Sequence, residues 1–350
     1  MCLPWSHRFA AGAVVASLFA CSKGGPQTTI DPGVLFAEWG QLAETAAKQG
    51  TIVVEGREGW LFFGPELRHL SVGRFWGEDA AAVSQARRPE WADPLPAILD
   101  FHRRLQERGV ELILMPVPPK AIVYPDKVPS TVEWPAGIPP RLDVELQALY
   151  ALLRENGIEV LDLTDIFLSH HDDPDGHMYC QQDTHWSGLA TIMAAAQVAR
   201  MIRSRSWFTN VPKTKFSEQW RTIEIEGDLW EALEEPSRPK ENLRLRFVGS
   251  EPDPNSPVIL LGDSHALAFH AGGNTMAEKA GLPDQLAFEL GFPVDLVAVR
   301  GSAGTAARVN LLRRAQADSS YWSRKKLVIW CFAAREFTEG DGWRAVPIAP

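Results

Sequence analysis

Short apolar runs alternate with amphipathic segments along most of this chain. Helical spacing of apolar residues predicts helices at residues 34–50, 95–108, 141–156, 186–204, 275–288 and 306–316. Compact apolar runs predict strands at residues 110–115, 158–161, 258–261, 294–299 and 327–332. Helices that alternate with short buried strands are typical of a mostly parallel sheet with helices on both faces. The pattern therefore predicts a three-layer α/β fold.

Other parts of the chain have less regular patterns. Residues 51–54 and 60–63 are strand-like and are separated by a turn rich in glycine and charge, which predicts a hairpin. Residues 64–92 lack a clear period and are predicted to be a loop with one short helix at most. The pattern of residues 206–256 is irregular, with a preference for strands.

The N-terminus has the pattern of a targeting segment. Residues 9–20 are apolar but too few to span a bilayer, which is typical of a signal peptide over residues 1–20. Leu18-Phe19-Ala20-Cys21 resembles the lipobox of bacterial lipoproteins, which implies lipid attachment at Cys21. A plain secretory signal is the alternative. Residues 21–33 would then be a tether, and residues 34–350 a domain in the periplasm, anchored to a membrane that the next residue, Ser22, suggests is the outer one.

Composition narrows the choice of partners. The chain is 45% apolar and 23% charged, as is ordinary for a globular protein. Its formal net charge of −9 argues against a nucleic-acid partner, so an anionic ligand would depend on local basic groups. Cys180 and Cys331 could form a disulfide outside the cytoplasm or remain as two buried thiols; the sequence leaves both open.

One strand end carries a candidate nucleophile. The run at 258–261 is followed by Gly262-Asp263-Ser264 and then by a predicted helix. A strand that ends in glycine and is followed by serine and a helix presents the hydroxyl at the sheet edge, where backbone N–H groups can hold a negative oxygen. The alternative is that Ser264 only caps the helix.

A base and its partner precede the long alanine-rich helix. A serine hydroxyl needs an imidazole to take its proton, and the imidazole needs a carboxylate to orient it. Asp183 and His185 lie two residues apart and can point to the same side. Alone, Asp183 could be a helix cap and His185 a buried ring. With Ser264, all three parts of a triad are present at element boundaries, which favours catalysis.

The motifs together resemble the SGNH-hydrolase-like domain of periplasmic alginate O-acetyltransferases (the AlgX/AlgJ type), from about Gly56 to Phe337. Besides Gly-Asp-Ser, the resemblance rests on Asp183-Thr184-His185-Trp186, the proline-rich loop at 116–125, Gly227-Asp228-Leu229, Gly301 with Arg308, Leu327-Val328-Ile329-Trp330, and Ala334-Arg335-Glu336. Ordinary SGNH esterases have the serine before the histidine in the chain. The reversed order is similar to the acetyltransferase branch.

The resemblance implies roles for these residues. Ser264 would accept the acetyl group, His185 would be the base and Asp183 would orient it. The donor would be presented by a membrane-bound O-acyltransferase, the acceptor would be a polysaccharide hydroxyl, and no cofactor is implied. A carbohydrate acetylesterase with the same triad and a non-catalytic scaffolding lipoprotein are alternatives. The extra carbohydrate-binding module that some members carry is not expected here.

Further residues are candidates for substrate binding or oxyanion support. A basic pair near Ser264 could hold a uronate carboxylate, although salt bridges and loop anchoring are equally good roles for such residues. The candidates are Lys120, Tyr124, Gly262, Gly301, Arg308 and Arg335.

Histidines outside the predicted triad could act as a second base or as metal ligands. His265 follows Ser264 directly and could compete with His185 as the base. Residues 170–177 are rich in histidine and aspartate but lack the spacing of a zinc site, so they predict a solvated turn and no metal.

Overall fold

A computed structural model describes residues 30–135, 137–235 and 237–349. The predicted signal peptide and Cys21 lie outside these ranges. No helix in the described ranges has both the length and the apolar character that a bilayer crossing requires.

The strands are β1 (Val53–Glu55), β2 (Leu61–Phe63), β3 (Glu111–Val117), β4 (Glu159–Val160), β5 (Glu218–Ile225), β6 (Glu241–Val248), β7 (Val258–Gly262), β8 (Asp295–Ala298) and β9 (Leu327–Ala333). The helices are α1 (Pro32–Lys48), α2 (Gly64–Ser71), α3 (Ala80–Val83), α4 (Pro94–Gln106), α5 (Lys120–Val123), α6 (Val144–Glu155), α7 (Thr164–Ser169), α8 (Gly188–Arg203), α9 (Asp228–Ala232), α10 (Ser264–Leu267), α11 (Leu282–Leu290), α12 (Ala306–Ala317) and α13 (Glu336–Glu339).

Five strands form a parallel sheet in the order β4-β3-β9-β7-β8. Successive side chains of a strand point to opposite faces. In β9, Ile329 and Cys331 pack with α8 and α11 on one face, whereas Val328 and Trp330 pack with α4, α6 and α12 on the other. The predicted three-layer α/β fold is confirmed, because both faces of the sheet are buried under helices.

Antiparallel hairpins lie outside this sheet. β1 pairs with β2 as the pattern predicts, and β5 pairs with β6 in a longer hairpin within the segment predicted to be irregular with a preference for strands. The β5–β6 hairpin packs on the start of α8, where a Cβ on Gly188 would lie 2.4 Å from Leu245 Cδ2. Glycine at that position therefore permits a close approach of the hairpin to the main body.

Several predicted boundaries are wrong. The helix predicted at 275–288 begins only at Leu282, because Met276 and Lys279 adopt left-handed backbone angles and interrupt a helix there. The segment 64–92, predicted as mostly loop, contains α2 and α3. Helix α1 starts at Pro32, just inside the predicted tether.

The two cysteine alternatives are resolved in the described ranges. Cys180 and Cys331 are both buried and neither forms a disulfide there. Burial away from water raises the pKa of both thiols far above the usual value, so they behave as small apolar side chains.

Candidate active site

Ser264 lies at the carboxyl end of β7, at the first position of α10. The turn is tight: a Cβ on Gly262 would lie 2.6 Å from Ala266 Cβ and 2.8 Å from the Cys331 carbonyl oxygen. Only glycine allows β7 to pass so close to both β9 and α10. Gly262 therefore shapes the turn that carries Ser264.

Asp263 fixes this turn. Its carboxylate accepts hydrogen bonds from His265 N and from Ala333 N at the end of β9, both at 2.8 Å. Burial favours the neutral acid, but His265 and these backbone donors outweigh burial and hold the pKa of Asp263 at about 2. The acid is therefore ionised, caps α10 and ties the Ser264 turn to the neighbouring strand.

Asp183 and His185 lie in a loop that closes on itself just before α8. The loop is closed by Ser187 N, which donates to the Met178 carbonyl at 2.8 Å, and by the pairing of Tyr179 with Trp186. Trp186 is fully buried, and its Nε1 donates to the His265 carbonyl at 3.1 Å. This bond links the loop of the histidine directly to the turn of the serine.

Asp183 orients His185. Its Oδ1 lies 2.7 Å from His185 Nδ1 and also accepts from His185 N at 2.7 Å. Burial disfavours the imidazolium, but the charge and hydrogen bond of Asp183 outweigh it, so the pKa of His185 lies above its usual value. Burial likewise opposes ionisation of Asp183, yet His185 holds the pKa of Asp183 below its usual range. The pair is an imidazole held by an ionised carboxylate.

His185 Nε2 points away from Asp183. It is buried and has no hydrogen-bond partner in the described part of the chain. His185 and Ser264 line the same pocket of about 570 Å³, together with Gly301. The structure therefore brings the predicted acid, base and nucleophile to one site and leaves the second ring nitrogen available.

His265 does not occupy the position of a competing base. Its side chain is 1% exposed and its ring centroid lies 4.7 Å from that of His185. Its Nδ1 is 3.5 Å from Asp263 Oδ1, too long for a strong hydrogen bond. Burial lowers the pKa of His265 to about 4, so the ring is neutral near pH 7 and packs against His185.

Asp228 also belongs to the site, although the sequence pattern predicts no role for it. Its backbone N donates to Asp183 Oδ2 at 2.7 Å, and its carboxylate accepts from Thr184 N at 2.7 Å. Asp228 Oδ2 lies 3.9 Å from His185 Nδ1. The motif Gly227-Asp228-Leu229 was the signal that could have identified it, since it follows β5 directly. Asp228 therefore fixes the loop that carries Asp183 and His185.

Asp183, His185 and Asp228 each offer an atom within 4.8 Å of the others, as metal ligands would. These atoms are already bonded within the protein, Asp183 to His185 and Asp228 to Thr184. The segment 170–177 gives no such group among the described residues. There, His170 Nδ1 lies 2.7 Å from Asp173 and Asp175 N donates to the same carboxylate, as in a turn.

Three of the basic or polar candidates bond to the protein itself. Lys120 Nζ donates to the carbonyls of Leu61, Gln181 and Asp183 at 2.6, 2.9 and 3.0 Å. Tyr124 Oη accepts from Met178 N and donates to the His171 carbonyl. The buried guanidinium of Arg308 donates to the Gly304 and Arg344 carbonyls.

Arg335 differs from these three residues because a carboxylate and an aromatic ring, not backbone carbonyls, surround its guanidinium. It is mostly buried, its Nη1 lies 3.6 Å from Glu66 Oε2, and its guanidinium stacks on Phe63. Its positive charge opposes protonation of both His185 and His265. Among the six secondary candidates, only Gly301 lines the pocket.

Several known proteins are similar to this chain in sequence or in fold. The probable alginate O-acetylase AlgJ of Pseudomonas aeruginosa is 30% identical over 179 residues, which are 51% of this chain and 40% of that protein. The matched part thus spans about two fifths of that relative's length.

Solved structures show the same fold at lower identity. The O-acetyltransferase domain of Pseudomonas putida AlgJ superposes with a TM-score of 0.60 at 23% identity, covering 82% of this chain and 92% of that one. Pseudomonas aeruginosa AlgX gives a TM-score of 0.58 at 17% identity, covering 81% and 62%. Residues 53–334 match the family described as the SGNH hydrolase-like domain of the acetyltransferase AlgX. Because this match spans most of the chain, the protein belongs to the AlgX family of SGNH-hydrolase-like acetyltransferase domains.

Proposed function

We propose that the protein is an O-acetyltransferase that moves an acetyl group through an acyl-serine to hydroxyls of an exported or cell-envelope polysaccharide. One observation carries the proposal: the carboxylate-bound His185 keeps its Nε2 unpartnered in the pocket that Ser264 also lines. Family membership and the AlgJ relatives support the same activity.

The first half-reaction loads the enzyme. Ser264 Oγ attacks the carbonyl carbon of a donor ester while His185 Nε2 takes the hydroxyl proton. The donor C–O bond then breaks, and the leaving oxygen receives that proton from His185. Asp183 stabilises the imidazolium that exists between these steps, because its ionised carboxylate contacts Nδ1.

The second half-reaction repeats the sequence with a sugar. His185 Nε2 takes a proton from the acceptor hydroxyl, whose oxygen attacks the acyl carbon on Ser264. The Ser264 ester bond breaks and His185 returns the proton to Oγ. Water in place of the sugar would give an acetylesterase with the same groups.

The setting of the enzyme is part of the proposal. The signal peptide at 1–20 and the lipobox-like Cys21 support a periplasmic domain over residues 34–350, anchored by lipid through a tether at 21–33. A membrane-bound O-acyltransferase is the proposed source of the acetyl group, since an exported enzyme needs a donor from across the membrane.

One experiment distinguishes the transferase from the two alternatives, an esterase and a non-catalytic scaffold. The protein is treated with p-nitrophenyl acetate, and intact mass spectrometry detects acetylation of Ser264. We expect an acyl-enzyme that is absent in Ser264→Ala and that oligosaccharides discharge faster than water does. Discharge that sugars do not accelerate would show an esterase. Absence of acylation, with polymer acetylation in cells surviving His185→Ala, would show a scaffold.

A further inference from the structure

The pocket around Ser264 has an acidic wall. Its charged lining consists of four carboxylates and two cations: Glu224, Glu226, Asp228, Glu231, Lys240 and Arg300. The three glutamates are exposed to solvent at the pocket rim. A ligand that enters this pocket therefore meets an excess of negative charge.

The cations do not reverse this excess. Lys240 Nζ lies 2.5 Å from Glu226 and 3.8 Å from Glu224, so its charge is already shared between two carboxylates. Arg300, the second cation, forms no ion pair within the described residues, but with Asp228 and Glu231 the lining still has two more carboxylates than cations. Of the other basic candidates, Lys120 and Arg308 are buried and donate to backbone carbonyls. Arg335 is half-buried, its Nη1 lies 3.6 Å from Glu66 Oε2, and it does not line the pocket.

The acidic character continues along the β5–β6 hairpin. A second pocket of about 800 Å³ shares Glu224 and Met276 with the first and also contains Glu218 and Glu278. Of its two cations, Lys279 is paired with Glu251 at 2.5 Å. The other, Arg221, lies over the ring of Phe247. The two pockets adjoin at Glu224 and Met276 beside β5 and have the same sign of charge, and we call them together the trough.

We propose that the sugar unit acetylated at Ser264 carries no carboxylate: the acceptor at this subsite is a neutral or an amino sugar. The inference rests on the proposed transferase function and narrows its substrate. A uronate would bring a negative charge into a pocket whose carboxylates outnumber its cations, and like charges in a partly enclosed site repel. A hydroxymethyl or ammonium group in the same place meets no such repulsion.

A basic pocket lies on the other side of residues 299–302 and does not alter this argument. It is lined by Arg87, Arg88, Arg313 and Arg344, and neither Ser264 nor His185 reaches it. Its charge can act only on parts of a polymer remote from the reacting sugar. Short acceptors avoid that influence.

The experiment uses three disaccharides with the same β-1,4 linkage and ring configuration: cellobiose, its C6-oxidised uronate form, and the de-N-acetylated chitobiose. The acyl-enzyme is formed with p-nitrophenyl acetate, and its discharge by each sugar is followed at low and high salt. We expect cellobiose or the amino sugar to react roughly three- to tenfold faster than the uronate at low salt. Salt should narrow the difference by screening.

Variants test the source of this preference. The triple variant Glu224→Gln, Glu226→Gln, Glu231→Gln should bring the neutral-to-uronate rate ratio close to one, whereas Glu155→Gln on α6 should leave the ratio as it is. Because the neutral-to-uronate rate ratio is measured within each variant, a change in the rate of Ser264 acylation does not affect the comparison. A uronate that reacts as fast as cellobiose, or a ratio that the triple variant does not change, overturns this inference alone. An acyl-enzyme that no sugar discharges overturns the transferase proposal as well.

Discussion

Two carboxylates lie near His185 Nδ1, and both shift the pKa of His185 in the same direction. Asp183 is bonded to Nδ1, and Asp228 lies 3.9 Å from the same atom. Both raise the pKa of His185, while burial and Arg335 lower it, and the net pKa is above the usual value. A general base must be neutral to accept a proton. Acetyl transfer should therefore rise with pH through a midpoint above about 6.5, the ordinary pKa of histidine.

Replacing Asp228 by asparagine tests this electrostatic account. Asp228→Asn removes one negative charge near Nδ1, so the imidazolium loses support and the pKa of His185 falls. We expect the midpoint of the pH–rate profile of acyl-enzyme discharge to shift toward lower pH. Asp165→Asn, which changes an exposed carboxylate on α7, is the matched control and should leave the midpoint in place. A midpoint that stays fixed in Asp228→Asn would show that Asp228 does not contribute to the pKa of His185.

The sequence predicts some of these residues better than others. Asp183, His185 and Ser264 could be named because each combines a reactive side chain with an element boundary. The contacts of Asp228 and Trp186 could not, since their partners lie 45 and 79 positions away in the chain. Spacing along the chain carries no information about such pairs. For the same reason Lys120 and Arg308 could be taken for ligand groups until their backbone partners were seen.

The contact between Asp228 and Asp183 depends on a close approach of Gly227 to the segment 182–183. Gly227 passes so close to the loop of the base that a Cβ there would lie 2.2 Å from the Gln182 carbonyl oxygen and 2.8 Å from Asp183 Cβ. Such distances are shorter than van der Waals contact, so any side chain must push the two segments apart.

Gly227→Ala should therefore weaken both stability and chemistry. We expect a loss of about 1–3 kcal/mol in the free energy of unfolding and slower acylation of Ser264, because the bond from Asp228 N to Asp183 is displaced. Denaturant unfolding and p-nitrophenyl acetate kinetics measure the two effects. Gly249→Ala is the control, since the nearest atom to its Cβ would be Ser217 Oγ at 3.7 Å. Equal behaviour of the two variants would contradict the account.

Among the elements, the sheet was more predictable than its surroundings. Runs such as 258–261 and 327–332 are apolar throughout because both faces of their strands are buried, and that signal is local. The β5–β6 hairpin has an exposed face along most of β5, so its apolar pattern is weak. The start of α11 depended on left-handed turns at non-glycine residues, which the sequence does not reveal.

At the scale of the whole molecule, the buried ammonium of Lys120 connects segments that are far apart in the chain. Lys120, at the end of the loop after β3, donates to carbonyls from β2 and from the segment 181–183. A buried carbonyl without a donor costs roughly 1–3 kcal/mol. The position of Asp183 thus depends on packing between the first hairpin and the central sheet.

Lys120→Met should lower the free energy of unfolding by roughly 3–5 kcal/mol, because three buried carbonyls lose their donor. It should also slow acetyl transfer in the molecules that remain folded. Lys325→Met is a matched comparison: Lys325 is equally buried but bonds to Pro254, Ser256 and Asp295 at the opposite end of the sheet. It should reduce stability to a similar degree while the folded enzyme keeps its rate. Unfolding curves and rates corrected for the folded fraction distinguish the two. A normal rate in folded Lys120→Met would remove Lys120 from the support of the site.

The β5–β6 hairpin has a consequence for how such enzymes diversify. It supplies Glu224 and borders Glu226, yet it stands outside the parallel sheet whose strand β7 carries Ser264. Mutations along its exposed face can change the charge of the trough without touching the buried contacts of Asp183, His185 or Asp263. Selection for a new polymer can therefore act on the hairpin while the acyl-transfer chemistry is inherited unchanged. Exchanging this hairpin between relatives would be a direct route to new acceptor specificities.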